Sequence, residues 1–114
     1  RHTDRRCLVP VTSFQEWSGT AGAKRQHWFS LPASPIFAFA GIFRPTEDWT
    51  CFAFLTCEPN RLVGAVHPKA MPLILHPEDY ESWLSDDWPM ASRLVAPFPS
   101  QLMTMGDQLP DRAE

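Results

Sequence analysis

Glu16 and His67 are the two residues of this chain whose type and setting suit proton transfer. Glu16 stands in Phe14-Gln15-Glu16-Trp17, a carboxylate beside an indole and two residues after a phenyl ring. A carboxylate that loses water against aromatic rings exchanges protons nearer neutrality. His67 stands in Val66-His67-Pro68, where the following proline biases it toward extended backbone. Imidazole both donates and accepts protons near pH 7. Taken singly, each residue also fits a plainer role, a strand glutamate facing water or a loop histidine satisfied by hydrogen bonds.

The other chemistry-bearing residues group less well. His2, His27, His67 and His76 show no i, i+4 pairing, and no Cys/His cluster has zinc spacing. No glycine loop suited to phosphate appears, and Ser13 and Ser18 lie outside any G-x-S-x-G elbow. No metal or other cofactor is therefore expected. Trp17, Trp28 and Trp49 could stack on bases, although core packing is the commoner use of tryptophan. Cys7, Cys51 and Cys57 are odd in number and lack C-x-x-C spacing, which predicts reduced, partly buried thiols.

Short strands must position these groups. Residues 7–11 and 14–17 read as strands separated by a turn after Pro10, and residues 27–31 as a third, in a hairpin across the polar 18–25 loop. Residues 37–43 form the clearest strand, with Phe37, Phe39 and Phe43 on one face and small Ala38 and Ala40 on the other. Residues 50–57 continue as a strand with Phe52, Phe54 and Thr56 on one face, and residues 59–63 as a helical turn. Residues 71–75 read as a buried strand. Residues 76–84 make the best helix, with Tyr80, Trp83 and Leu84 on one side, and residues 91–94 a shorter one. These elements predict an α+β domain of mostly short strands in a mixed or antiparallel sheet, with one or two short helices.

Composition sets the outer bounds. The chain has 114 residues, 44% of them hydrophobic and 12% aromatic, enough for one packed core. Twelve prolines disfavour long helices. No apolar run approaches the roughly 18 residues that cross a bilayer, and the opening Arg1-His2-Thr3-Asp4-Arg5-Arg6 lacks the apolar stretch of a secretory signal. A cytoplasmic protein without membrane partners is expected. Charge is unevenly spread: residues 1–75 hold eight Lys/Arg and five Asp/Glu, a net +3, whereas residues 76–114 hold a net −6. A polyanion would bind the first part, although ordinary solvated charge explains the same numbers.

Five ordered segments change the weight of these readings. They are Arg6-Cys7-Leu8-Val9-Pro10 through Phe14-Gln15-Glu16-Trp17, Phe37-Ala38-Phe39-Ala40-Gly41-Ile42, Phe54-Leu55-Thr56-Cys57-Glu58-Pro59-Asn60, Val66-His67-Pro68-Lys69-Ala70-Met71-Pro72, and Pro77-Glu78-Asp79-Tyr80-Glu81-Ser82-Trp83-Leu84. Spanning roughly residues 5–105, they resemble the hallmark strings of the SOS-response-associated peptidase (SRAP) family, whose members crosslink to abasic sites in single-stranded DNA. The resemblance implies that Glu16 orients and deprotonates a catalytic amine, and that His67 assists opening of the abasic sugar. It places Thr56 near the pocket, gives Trp17 a supporting or stacking role, and lets Lys69 contact phosphate where many members carry arginine. His67-Pro68-Lys69-Ala70-Met71-Pro72 is one residue longer than the family's His-x-Arg-Met-Pro.

The family's nucleophile is an N-terminal cysteine whose amine and thiol together close a thiazolidine on the abasic aldehyde. This chain begins with Arg1, and its internal Cys7 occupies the family's buried cysteine position. Residues 1–105 thus resemble the C-terminal two-thirds of such a domain, followed by a polar tail at 106–114, and are expected not to capture abasic DNA alone. The implied partner is single-stranded DNA with an abasic site, with self-association through an exposed sheet edge as a further expectation. Two other functions remain open: a non-covalent module binding single-stranded DNA or protein, and a peptidase limited to its own N-terminal extension.

Overall fold

Proline and alternating apolar residues cut this chain into short strands, which pair antiparallel throughout the described residues. The computed structural model describes residues 5–108. Along the chain run β1 (Arg6–Val11), β2 (Phe14–Ser18), β3 (Arg25–Ser30), β4 (Phe37–Pro45), β5 (Thr50–Phe54) and β6 (Thr56–Cys57). Then follow α1 (Arg61–Gly64), β7 (Met71–Pro72), β8 (Ile74–Leu75), α2 (Tyr80–Ser85), α3 (Trp88–Ala91) and β9 (Thr104–Gly106). β4 pairs with β1 along one edge, while β5 and β8 share the other. A second sheet has the order β2-β3-β9, and β6 pairs with β7. The fold is α+β, as expected.

The two larger sheets close on an aromatic core. Phe14 stacks on Phe29 at 5.1 Å and meets Phe39 edge-on at 5.7 Å, so the β2–β3 hairpin packs its inner face on β4. A second apolar cluster lies on the other face of β4, where Ala40, Leu73, Leu75 and Ala91 surround the fully buried Trp83. Small residues at Ala38 and Ala40 make room for that layer. Trp83 Nε1 donates to the carbonyls of Cys7 at 3.0 Å and Gly41 at 3.2 Å, which ties α2 to β1 and β4. A methyl at Gly41 would lie 2.8 Å from Cys7 Sγ, so the strand needs glycine at this crossing.

One junction breaks two of the expected strands. Leu55 N–H donates to Ala40 O at 2.9 Å, and Leu55 O accepts from Leu73 N–H at 2.8 Å. Leu73 O in turn accepts from Ala40 N–H at 2.8 Å. The expected 50–57 strand therefore splits into β5 and β6, and the expected 71–75 strand into β7 and β8. Each break falls where one residue changes ladder, a long-range choice that local pattern does not record.

Other differences are local. The first turn of the expected 76–84 helix is a 3₁₀ segment, Pro77–Asp79. Leu84 is 37% exposed, because α2 ends at Ser85 and Trp83 alone fills its buried stripe. Helix α3 begins three residues before the expected short helix, where Asp87 caps it by accepting from Met90 N–H. Cys51 is exposed rather than partly buried, since every residue of the edge strand β5 is exposed. β9 has no clear pattern in sequence and is defined by pairing Thr104–Gly106 with β3. Residues 109–114 of the expected tail lie outside the described residues.

Candidate active site

The hairpin β2–β3 carries Glu16 on its inner face. Phe14, Glu16 and Ser18 alternate onto that face, and their partners across the hairpin are Phe29, His27 and Arg25. Phe14 and Phe29 anchor the inner end in the core, so Glu16 emerges one step beyond the packed rings. His67 reaches the same place from a different element. Asn60 Oδ1 caps α1 by accepting from Val63 N–H at 2.9 Å, and Val63 O accepts from His67 N–H at 2.8 Å. Asn60 is itself held by donating to Phe98 O at 2.6 Å.

Fifty-one residues apart in sequence, the two side chains meet: His67 Nε2 lies 4.0 Å from Glu16 Oε1. This is the one ion pair among the described residues. The side chains are 38% and 21% exposed, respectively, so both can reach a solvent-borne substrate. At 4.0 Å the contact is too long for a hydrogen bond, and it is an ion pair only when the imidazole is protonated. On its other side His67 Nδ1 sits 2.9 Å from Ala70 O. A carbonyl only accepts, so Nδ1 carries the proton and Nε2 is the nitrogen free to exchange one. Ala70 thus supplies the carbonyl that orients the ring.

The remaining expected site residues are more dispersed. Trp17 is 50% exposed and alternates onto the hairpin's opposite face, across from Gln26. Thr56 is exposed on β6, paired with Pro72, and Lys69 is exposed in the loop after His67. Neither Thr56 nor Lys69 makes a side-chain hydrogen bond or ion pair among the described residues. His27, one of the four histidines without metal-ligand spacing, stands directly across from Glu16, and Ser18 Oγ lies 2.7 Å from its Nε2. The period-two match of Glu16 and His27 across a hairpin was the signal that could have found it.

The three thiols sit apart from this pair. Burial pushes the Cys7 thiol above its ordinary value. Burial, and then the neighbouring Glu58 carboxylate, do the same for Cys57. A thiolate is the reactive form, so neither is built as a nucleophile. Among the described residues no three His, Cys, Asp or Glu side chains group closely enough to hold a metal ion.

The α+β fold brings together, at one partly exposed point, the glutamate and the histidine that the sequence resemblance singled out. The family model of the SOS response associated peptidase (SRAP) matches residues 1–107, and the chain belongs to that family. Two relatives from Bacillus subtilis are named abasic site processing proteins. YoqW is 34% identical over 91 residues, covering 71% of this chain and 38% of its own length. YoaM is 31% identical over 87 residues, with the same two coverages. The chain thus spans well under half the length of these relatives. A crystal structure from Bacteroides thetaiotaomicron superposes with a TM-score of 0.81 at 27% identity, covering 90% of this chain and 49% of that one. A structure from Bordetella bronchiseptica gives 0.82 at 18% identity, covering 94% and 56%, and shares the fold. No helix among the described residues is long and apolar enough to cross a membrane.

Proposed function

We propose that this chain carries the acid–base wall of a site that processes abasic lesions in single-stranded DNA by covalent capture. The 4.0 Å approach of His67 to Glu16, from elements far apart in sequence, is the observation that carries the reading. The names of the Bacillus subtilis relatives supply the substrate class.

An abasic sugar rests mainly as a closed ring. Opening it takes a proton from the C1′ hydroxyl, delivers one to the ring oxygen and leaves an aldehyde. His67 Nε2 is the exchanging nitrogen for this step, held in place by Nδ1 on Ala70 O. An N-terminal cysteine amine, deprotonated by Glu16, then adds to the aldehyde and expels water to form an imine. Its thiol closes a thiazolidine across the C=N bond. Cys7, Cys51 and Cys57 do not serve, since an internal residue has no free α-amine. Thr56 and Lys69 contribute to the pocket and to phosphate contact, and Trp17 offers an exposed ring to a flanking base. Peptidase chemistry is limited to self-processing.

The test is adduct formation on a denaturing gel, using the full-length protein and single-stranded DNA bearing an aldehydic abasic site. Glu16→Gln and His67→Gln should each slow capture by about 10²-fold or more. Wild-type rates in both variants would remove the proposal. Equal, salt-dependent binding of intact and abasic strands with no adduct would favour the non-covalent module instead.

A further inference from the structure

The inner face of the hairpin continues past Glu16 with residues that the acid–base chemistry leaves unused. His27 lies opposite Glu16, and Arg25 lies opposite Ser18. Directly opposed residues on one face of an antiparallel pair stand about 5 Å apart at Cβ. Arg25 and His27, two residues apart on β3, therefore form a line running from the hairpin tip to the acid–base pair. Arg25 is exposed and makes no ion pair among the described residues. Ser18 Oγ holds His27 Nε2 at 2.7 Å, which fixes the ring on this face. Among the described residues Glu16 makes its ion-pair contact with His67.

The hairpin tip is shaped to hold this line in place. Gly19 has φ +92°, and a methyl there would lie 2.5 Å from Ala23 O. Ala23 N–H donates to Thr20 O at 2.9 Å, which closes the turn that leads into Lys24 and Arg25.

We propose that Arg25 and His27, with Ser18 as the positioning residue, form a subsite for the nucleic-acid backbone phosphate next to the reacting nucleotide. The inference rests on the abasic-DNA reading of the Glu16–His67 pair and adds a path for the strand along β3. Arg25 supplies a permanent cation with planar donors suited to phosphate oxygens. His27 supplies a second cation when protonated, and histidine changes charge between about pH 5 and 8. The charged groups around His27 are Glu16 across the hairpin, Arg25 on its own strand, and His67 on the far side of Glu16. Asp107 follows the end of β9, where its carbonyl accepts from Gln26 Nε2 at 3.3 Å.

The test is equilibrium binding of the full chain to a single-stranded oligonucleotide carrying a tetrahydrofuran abasic analogue, which has no aldehyde to capture. The readout is the slope of log affinity against log salt concentration. Arg25→Ala should reduce the slope by about 0.7, the share of one single-strand phosphate, and Arg25→Lys should restore it. His27→Gln should reduce it as well. Unchanged slopes in Arg25→Ala and His27→Gln, with Glu16→Gln still slowing capture, would overturn the subsite and leave the acid–base reading intact. A wild-type protein that neither binds the oligonucleotide nor captures abasic DNA would overturn both.

Discussion

His67 shows how one backbone carbonyl decides what a side chain can do. Ala70 O fixes the proton on Nδ1 and turns Nε2 toward Glu16, so the ring is oriented before any substrate arrives. Because both side chains are partly exposed, the pair should matter for rate and little for stability. Glu16→Gln is expected to leave the unfolding free energy within about 0.5 kcal/mol of wild type while slowing capture by about 10²- to 10⁴-fold. Chemical denaturation alongside single-turnover kinetics checks both halves of that statement. The thiols give a second prediction at this scale. Cys51 is exposed on β5, whereas burial raises the Cys7 and Cys57 thiols. Iodoacetamide at pH 8 should label Cys51 first, as peptide mapping by mass spectrometry will show, and earlier labelling of Cys7 would contradict the packing described for β1. Glu16 and His67 were legible in sequence because each stands in a distinctive local string. His27 was not, because its place comes from strand register, which pairs it with Glu16 across a six-residue loop that a local motif does not cross.

Two elements bear most of the positioning. Helix α2 is six residues long and is anchored by the fully buried Trp83, whose indole donates to two carbonyls and lies under the Arg6 guanidinium 5.5 Å from its ring. Arg6 also donates to the Asp86 carbonyl, which clamps the end of α2 against β1. Trp83→Ala should cost about 3–5 kcal/mol in thermal or urea unfolding, and a loss below about 1 kcal/mol would show that α2 does not hold this face. Helix α1 is shorter still, and its job is to aim the His67 loop. Asn60→Ala removes the cap on Val63 and the bond to Phe98 O, so about 1–2 kcal/mol of stability should go. Capture should slow with it, because Val63 O holds the His67 backbone. The strands, turns and α1 were legible from proline, glycine and period-two patterning. The breaks at Leu55 and Leu73 and the strand β9 were not, because each is set by a partner distant in the chain. Leu84 was misplaced for a related reason: periodicity gives a helix its apolar side but not the residue at which that helix stops.

Across the molecule, the two cores share one pH liability. Burial raises Cys7, Cys57 and Tyr80, with Glu58 adding to the effect on Cys57 and a backbone hydrogen bond at Ala38 partly offsetting it on Tyr80. The folded state therefore keeps these protons after the unfolded chain has begun to release them. Their contribution to stability is fully present below about pH 8.5, the ordinary thiol value, and is lost as pH rises through the folded values. Thermal melts between pH 7 and 10.5 should show Tm falling at the alkaline end, and a flat profile would contradict the burial of these groups. Lys24, Arg25 and Lys69 belong, with Glu16 and His67, to the first 75 residues, where net charge is positive. The central claim, that these two residues act as one acid–base unit on abasic single-stranded DNA, is tested most directly by a double-mutant cycle of single-turnover capture rates. The account predicts that Glu16→Gln with His67→Gln is scarcely slower than the slower single variant, because groups acting as a unit are non-additive. Fully multiplicative losses, or capture at the wild-type rate in the double variant, would contradict it.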